Sequence, residues 1–388
     1  MDFYNKNILL VQHEGGLGGA ERQCLGLGEF LSKNYNCNVY LLLTHSAKTT
    51  KEFDDYLAKS GIKKVFHFGR PYLVLKKELS VKNIKRFVWS AKSFLKMRKE
   101  LKPYKFDIII PFLNFPSKVA YYLYKLLPTV KFTFWHQLGL DSQSGDVFET
   151  IAANNMPCVI ANASNGLELF KVDYKLAENR AHILPQYLTM QYKAYDSVSI
   201  KEKLNIKDDE LIIGMIAHYR PEKFQDLLLE TFKNFILEFP NSKLVFVGNK
   251  NNSEQTLNKY DSLFDKIKEY RLEENVLLLS GIEVEKVLSV LDIGVLVSRI
   301  EGVPNAVMEY MLYGLPVVAT NHPGCQGLLK ETPFLIENNK KQLQRALSRL
   351  ALSKEERVKE GNKNKELIVS YTKSGYVEKL TEIMNQYV

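Results

Sequence analysis

The sequence predicts an α/β protein of two domains, each a parallel sheet with helices on its faces. Three observations predict it. Short, nearly continuous apolar runs recur along the chain, as expected of parallel strands buried on both sides. Longer amphipathic stretches alternate with them, which is the β-α-β pattern. The alternation is interrupted over the polar residues 186–207, and 388 residues suit two domains of roughly 150–200 residues each.

In chain order, the first series of strands reads NILLVQ (7–12), NVYLLLT (38–44), KVFHF (64–68), FDIIIPF (106–112), KFTFWH (131–136), CVIANAS (158–164) and AHILP (181–185). Helices lie between them, among them Ala20–Ser32 and Ser117–Leu127. The second series reads LIIGMIAH (211–218), KLVFVGN (243–249), NVLLLSG (275–281), IGVLVS (293–298) and LPVVAT (315–320). Helices are expected over Phe224–Phe239, Ser253–Tyr270, Glu283–Leu291 and Ala306–Tyr313. Lys/Glu-rich helices close the chain over 339–388. These are two Rossmann-like domains, residues 1–190 and 205–370, followed by a terminal segment 371–388.

The chain is 45% apolar and 25% charged, with net charge +9 and a pI of about 9.0. The basic balance favours anionic partners, whether nucleotide phosphates, anionic membrane surfaces or nucleic acid, and does not choose among them. Cys24, Cys37, Cys158 and Cys325 form no C-x-x-C pair and read as reduced thiols. The apolar run at the N-terminus is only Ile8 to Val11, too short for a signal peptide. No stretch approaches a membrane span. The expected location is cytoplasmic, or peripheral on the inner membrane face.

The first strand runs into HEGGLGGAERQCLGLGEFLS. A strand, a glycine-rich turn and a helix start make an anion-binding device, because backbone N–H groups and the helix dipole converge there. A nicotinamide-dinucleotide fingerprint fails twice. Glu21 stands where the third glycine should be, and the second strand ends Leu42-Leu43-Thr44 without an acid. A Walker loop fails because no Lys-Ser/Thr follows. Two Gly-Gly pairs exceed the needs of a turn, so close ligand approach is the favoured reading.

The stretch SRIEGVPNAVMEYMLYGLPVVAT, from Ser298 to Thr320, holds two glutamates, Glu301 and Glu309, around a Gly-Val-Pro-Asn turn. Asn305 reads as the helix N-cap and Pro304 as a stiffener. Val307, Met308, Met311 and Leu312 share one face, which leaves Glu309 to look out at the helix mouth. Taken singly, Glu309 is a first-turn acid complementing the macrodipole and Glu301 a solvated loop residue. Together they suggest more. Helix-start amides suit a phosphate, and two carboxylates suit sugar hydroxyls. A phosphate flanked by two polyols describes a nucleotide-sugar.

This E-x7-E pattern with its G-x-P-N insert, followed by YGLPVVAT, resembles the donor site of glycosyltransferase family 4, whose members are retaining and have the GT-B fold. GGAER in the first loop resembles the same family's N-terminal signature. IAHYRPEKFQDLLLETF and ILPQYLT fall where the family has counterparts, so the likeness spans nearly the whole chain. It implies two domains facing across a cleft, with the C-terminal helix crossing back to the first.

The resemblance also assigns roles. Glu309 would hold the ribose hydroxyls and Glu301 the donor sugar. Backbone amides of Gly302, Val303, Pro304 and Asn305 would bind sugar or diphosphate, with Gly18 and Gly19 facing the diphosphate from across the cleft. Lys223 falls on the family lysine that neutralises the departing diphosphate. The family arginine falls on His218, and Arg220 follows two residues later. Either Arg220 reaches in or His218 serves. Phe224 replaces the usual glycine, and Gly327 stands where a glutamate is common. His136, at a strand end, falls on a family histidine near the donor sugar.

The implied reaction is transfer of a hexosyl or N-acetylhexosaminyl group from a nucleotide-diphosphate sugar, UDP-sugar favoured, with retention. The acceptor would be a glycan or lipid-linked molecule, in bacterial surface polysaccharide synthesis. No cofactor and no metal are expected, since Lys/Arg and helix dipoles can replace a divalent ion. A sugar-nucleotide epimerase and a non-catalytic nucleotide-sugar binder of the same fold are the alternatives. Residues 76–105 hold eleven Lys/Arg against two Glu, interleaved with Phe87, Val88, Trp89, Phe94, Leu95 and Met97. That segment is either a solvated basic helix or a face for anionic lipid. No nucleic-acid recognition motif accompanies it.

Overall fold

The computed structural model describes residues 2–78, 80–140, 144–250 and 254–388. The expected helix start at Ser253 lies outside the described residues. The chain divides into two compact units, Met1–Thr189 with Tyr371–Val388, and Met190–Ser370.

The first unit runs β1 (Asn7–Gln12), α1 (Gly19–Tyr35), β2 (Asn38–Leu43), α2 (Lys51–Leu57), β3 (Ile62–His67), α3 (Val81–Leu101), β4 (Ile108–Pro111) and α4 (Asn114–Leu126). It continues with β5 (Trp135–Gln137), α5 (Val147–Asn155), β6 (Val159–Ala161), α6 (Ser164–Asp173) and β7 (Ala181–Ile183). The second unit runs α7 (Ser197–Lys203), β8 (Leu211–Ile216), α8 (Gln225–Glu238), β9 (Ser242–Val247), α9 (Glu254–Glu269), β10 (Val276–Leu279) and α10 (Val284–Leu288). It continues with β11 (Ile293–Leu296), α11 (Asn305–Leu312), β12 (Val317–Thr320), α12 (Pro323–Leu329), β13 (Leu335–Ile336), α13 (Lys340–Leu352) and α14 (Lys354–Ile368). The last helix, α15 (Lys373–Met384), belongs to the first unit. Within the polar stretch 186–207 the structure forms α7, and the division between units falls before it.

All the strand pairings are parallel, in a four-stranded sheet β3-β2-β1-β4, a three-stranded sheet β5-β6-β7 and a six-stranded sheet β10-β9-β8-β11-β12-β13. Local chemistry sets many helix starts. Side-chain oxygens of Thr50, Ser80, Asp146, Asn339, Ser353 and Thr372 accept first-turn amides of the helices that follow them. Apolar residues of β1 and β2 pack with Leu27 and Leu31 of α1 and with Val377, Leu380 and Met384 of α15 in one core. Leu188 N also donates to Tyr371 O at 3.0 Å, and the Tyr187 and Tyr376 rings meet edge-on at 5.3 Å.

One lysine is fully buried in the first unit. Lys118 Nζ lies 2.6 Å from Asp146 Oδ2 and 2.7 Å from Leu73 O, with Glu149 Oε2 at 3.7 Å. The Tyr174 hydroxyl donates to Glu149 Oε1 at 2.5 Å, and burial pushes its pKa up. The cluster satisfies its own polar groups, as a buried charge requires.

Strand order reverses at one place in each large sheet, between β1 and β4 and between β8 and β11. At such switch points the loops leaving the strand ends diverge to opposite faces and open a crevice. In the second unit the pairing at this point is short. β8 and β11 pair only at Ile213↔Ile293 and Gly214↔Gly294. Beyond that, the buried Tyr310 hydroxyl of α11 stands in for the ladder. It accepts from Ile216 N at 2.7 Å and donates to Val295 O at 3.1 Å. Its ring lies where Gly294 has no side chain, since a Cβ there would come within 2.5 Å of Tyr310 Cγ. Tyr310→Phe leaves Ile216 N and Val295 O without this partner in a dry site. We expect a loss of about 1–3 kcal/mol in urea denaturation; an unchanged midpoint would show that the hydroxyl is dispensable.

Candidate functional site

The two loops that leave the switch point of the second unit carry most of the sequence-predicted residues. The loop after β8 holds His218, Arg220 and Lys223. The loop after β11 holds Glu301, Gly302, Val303 and Pro304, and leads into Asn305 of α11. They meet. Lys223 Nζ and Glu301 Oε1 form an ion pair at 2.6 Å, with side chains only 21% and 11% exposed. The backbones are tied as well, through Arg299 N donating to Glu222 O at 2.8 Å.

Glu301 is held from below by residues that the linear reading did not single out. Ser298 Oγ donates to Glu301 Oε1 at 2.6 Å. Ser298 is itself fixed: its carbonyl lies 2.9 Å from His322 Nε2 and accepts from Asn338 Nδ2 at 2.8 Å. Ser298 N donates to Thr320 Oγ1 at 3.1 Å, and Thr320 Oγ1 donates to Asn338 Oδ1 at 2.7 Å. Ser298 stands three residues before Glu301 and was legible as a local partner. Asn338 comes from beyond β13 and was not. Gly324 lets α12 close on the same loop, because a Cβ there would sit 1.7 Å from Gly302 O. Cys325 is buried beside the pair, and burial pushes its thiol up.

Two local expectations need correction. Asn305 is not the N-cap of α11; it is the first helical residue, with Pro304 in the cap position and no side-chain cap bond. Proline lacks an N–H and has an extended φ of −83° here, so it can stand just outside the helix. Glu309 is not a solvated residue: it is 3% exposed, on a helix packed by β11, β12, α12 and α14. Of the predicted buried face, Val307, Met308 and Met311 are buried and Leu312 is half-buried.

The basic residues differ in placement. Lys223 is held in the ion pair. Arg220 is 48% exposed, and its Nη1 lies 3.8 Å from Glu222 Oε1. His218 is half-buried, with its carbonyl accepting from Gln225 Nε2 at 2.8 Å. Phe224 has φ +44°, ψ +37° and stands immediately before α8. This is the left-handed region that favours glycine, which explains the usual glycine there and the cost of phenylalanine.

In the first unit, the switch point between β1 and β4 is bordered by the glycine loop and by Pro111. Gly18 caps α1 and Gly19 is its first residue. The turn already holds a carboxylate: Gly18 N donates to Glu21 Oε2 at 3.0 Å. Burial raises the Glu21 pKa. A phosphate here would share the turn with that group. Gly15 is accounted for by packing, since a Cβ would come within 2.5 Å of Thr49 Cγ2. A Cβ on its neighbour Gly16 would meet nothing within 4 Å, so of this pair it is Gly16 that fits a reading of ligand approach.

His136 lies at the middle of β5 and is fully enclosed. Its Nδ1 is 2.8 Å from Pro111 O. A carbonyl can only accept, so Nδ1 carries the proton and Nε2 holds a lone pair. Nε2 is buried without a hydrogen-bond partner among the described residues. Burial lowers the His136 pKa to about 4, so the ring is neutral at pH 7. Among the described residues, no three His, Cys, Asp or Glu side chains are grouped as a metal ion requires. Nor is any described helix long and apolar enough to cross a membrane.

The His136 geometry has a signed consequence for stability. The unfolded ring titrates near 6.5 and the folded ring near 4, so the unfolded state binds more protons between those values. Stability therefore falls as pH drops from about 6.5 to about 4, by up to roughly 3 kcal/mol. His136→Gln should flatten this part of the profile, measured as wild type minus variant in urea unfolding at pH 7 and pH 4.5. Parallel profiles would contradict the assignment.

Comparisons with known proteins bear on the same region. Residues 196–367 match the family model for glycosyl transferases group 1. A 167-residue stretch, 42% of this chain, is 28% identical to an uncharacterized glycosyltransferase of Methanocaldococcus jannaschii and spans 39% of that protein's length. Among solved structures, Anabaena HepE in complex with UDP and glucose superposes with a TM-score of 0.78 at 16% identity, covering 98% of this chain and 100% of that one. A glycosyltransferase from Rickettsia africae superposes with a TM-score of 0.77 at 15% identity, covering 99% and 98%. The fold is thus that of the GT-B glycosyltransferases, with two Rossmann-like domains.

Proposed function

We propose that this protein is a retaining glycosyltransferase of family 4 that uses a nucleotide-diphosphate sugar. UDP-sugar is the favoured donor, since HepE is described with UDP and with UDP-glucose. A hexosyl or N-acetylhexosaminyl group would pass to a glycan or lipid-linked acceptor in bacterial surface polysaccharide synthesis. The observation that carries the reading is the Lys223–Glu301 pair at the β8/β11 switch point, beside the first turn of α11 and inside the matched segment. Sugar chemistry needs a fixed cation for the departing diphosphate and a fixed carboxylate for hydroxyl groups, and these two loops place one of each in contact.

In this reading Lys223 Nζ turns from Glu301 to the diphosphate when donor binds, with Arg220 or His218 adding charge. Glu301 then accepts hydrogen bonds from sugar hydroxyls, held by Ser298. Glu309 serves the ribose; its burial suits a carboxylate that must be desolvated to discriminate. Amides of Gly302 to Asn305 other than the proline's contact phosphate or sugar. In the first unit, Gly18 and Gly19 serve the diphosphate, and the His136 Nε2 lone pair accepts from a sugar hydroxyl. The glycosidic C–O bond to phosphate breaks as the acceptor oxygen bonds the same face of the anomeric carbon, and the leaving phosphate oxygen takes the acceptor proton. The barrier falls through electrostatic stabilisation and positioning.

Thermal shifts with UDP-, GDP- and ADP-sugars identify the donor, and turnover is then measured with and without acceptor. Lys223→Ala should lower kcat by about 10²-fold or more while the fold and a donor thermal shift persist. Unchanged turnover would overturn the role of Lys223. Donor binding with no turnover in the wild type would identify a binder, and a changed sugar without acceptor an epimerase. Because Lys223, with Arg220 or His218, supplies the neutralising charge, EDTA should leave turnover unchanged; its loss on chelation, restored by Mg²⁺ or Mn²⁺, would contradict that account.

A further inference from the structure

Helix α3 has two apolar faces, and only one of them belongs to the core. Asn83, Ser90, Phe94, Met97 and Leu101 are buried on the first unit. At about 100° per residue these five fall within an arc of about 60°. Val81, Ile84, Val88 and Leu95 fall within a second arc of similar width on the far side of the helix. They are 70%, 65%, 41% and 60% exposed. A solvated helix facing water has polar residues there.

The second stripe is edged by one sign of charge. Lys85, Lys92, Lys96 and Lys99 follow it along one side, all exposed. Among the described residues none of the four is paired with a carboxylate. The segment 76–105 contains only Glu78 and Glu100 as acids. Next to the lysines stands Trp89, 58% exposed, with its ring edge-on to Tyr72 at 5.4 Å. Isolated exposed aliphatics need no explanation; a continuous stripe of them along one helix does.

We propose that the outer face of α3 docks on an anionic lipid bilayer, lying in the plane of its interface. The aliphatic stripe enters the acyl boundary, the lysines meet the headgroup phosphates beside it, and Trp89 lies at headgroup level. The charge alone would suit an acidic protein or RNA. The aliphatic stripe decides against RNA, which recognises aromatic and cationic side chains but offers nothing to cover aliphatic ones. A bilayer covers both along a whole helix and needs no shaped partner. This surface stands independently of the donor site, so a failure here leaves the glycosyl-transfer reading untouched.

The test is flotation of the full chain with vesicles of phosphatidylcholine alone and of phosphatidylcholine with about one third phosphatidylglycerol, at 0.1 M and 1 M NaCl. Binding should be at least about 10-fold stronger to the anionic vesicles at 0.1 M salt and weaken at 1 M, where screening is short-ranged. Trp89 emission should shift to the blue on binding. The other tryptophan, Trp135, is already buried and serves as an internal control through Trp89→Phe. Ile84→Asp with Leu95→Asp should abolish flotation without changing the thermal midpoint, since both side chains are exposed. Lys92→Gln with Lys96→Gln should weaken it several-fold. Equal partition into both vesicles, flotation that survives the double aspartate variant, or binding of RNA with none of vesicles would each overturn the proposal.

Discussion

The Tyr310 hydroxyl takes the place of the backbone ladder where β8 and β11 part, and the candidate site depends on that substitution. Two strands that continued to pair would carry their loops side by side over a closed sheet. Here the strands pair over two residues, the hydroxyl satisfies Ile216 N and Val295 O, and the loops that follow bring Lys223 from one and Glu301 from the other into contact. A buried hydroxyl with both its donor and acceptor capacity used is rigid as well as stabilising. The absence of a Cβ at Gly294 is the steric condition for it.

Rigidity extends outward from that point in steps. Ser298 fixes Glu301, and Thr320, His322 and Asn338 fix Ser298. Gly324 lets α12 press against Gly302. The carboxylate is therefore placed by elements spread over 40 residues of sequence, from Ser298 to Asn338. The lysine is placed by a shorter device, a single helical turn after β8 that ends in the strained backbone of Phe224. One partner of the ion pair is supported by a network and the other by a turn. Lys223, on its long flexible side chain, is accordingly the partner suited to move.

Much of the fold was legible. Eleven of the twelve apolar runs from residue 7 to residue 320 that read as strands begin within two residues of the start of a strand, because β-branched runs bounded by turn residues admit few other outcomes. KFTFWH is the exception: only Trp135 and His136 of that run enter β5, and Phe132 makes an isolated bridge with Ile108 instead. The two-residue strand β13 was missed, being too short for any periodic signal. Within the site, the chemistry of Glu301, Lys223 and His136 could be argued from residue type and neighbours. The burial of Glu309 could not, because a helical wheel shows one face toward a sheet and says nothing of the helices α12 and α14 that also pack on α11.

The sequence by itself determined the alternation of strand and helix, the glycine turn after β1, the Gly-Val-Pro-Asn turn before α11 and the basic character of α3. All are local: each follows from the side chains of a few consecutive residues and the backbone conformations they permit. Only the tertiary structure decided which loops meet. That Lys223 touches Glu301, that Glu21 fills the turn at Gly18, that His136 Nε2 has no partner among the described residues, and that α3 retains a second apolar face all depend on strand order and on which surfaces are covered. Strand order is fixed by the summed burial of whole elements, and no short window of residues carries that sum.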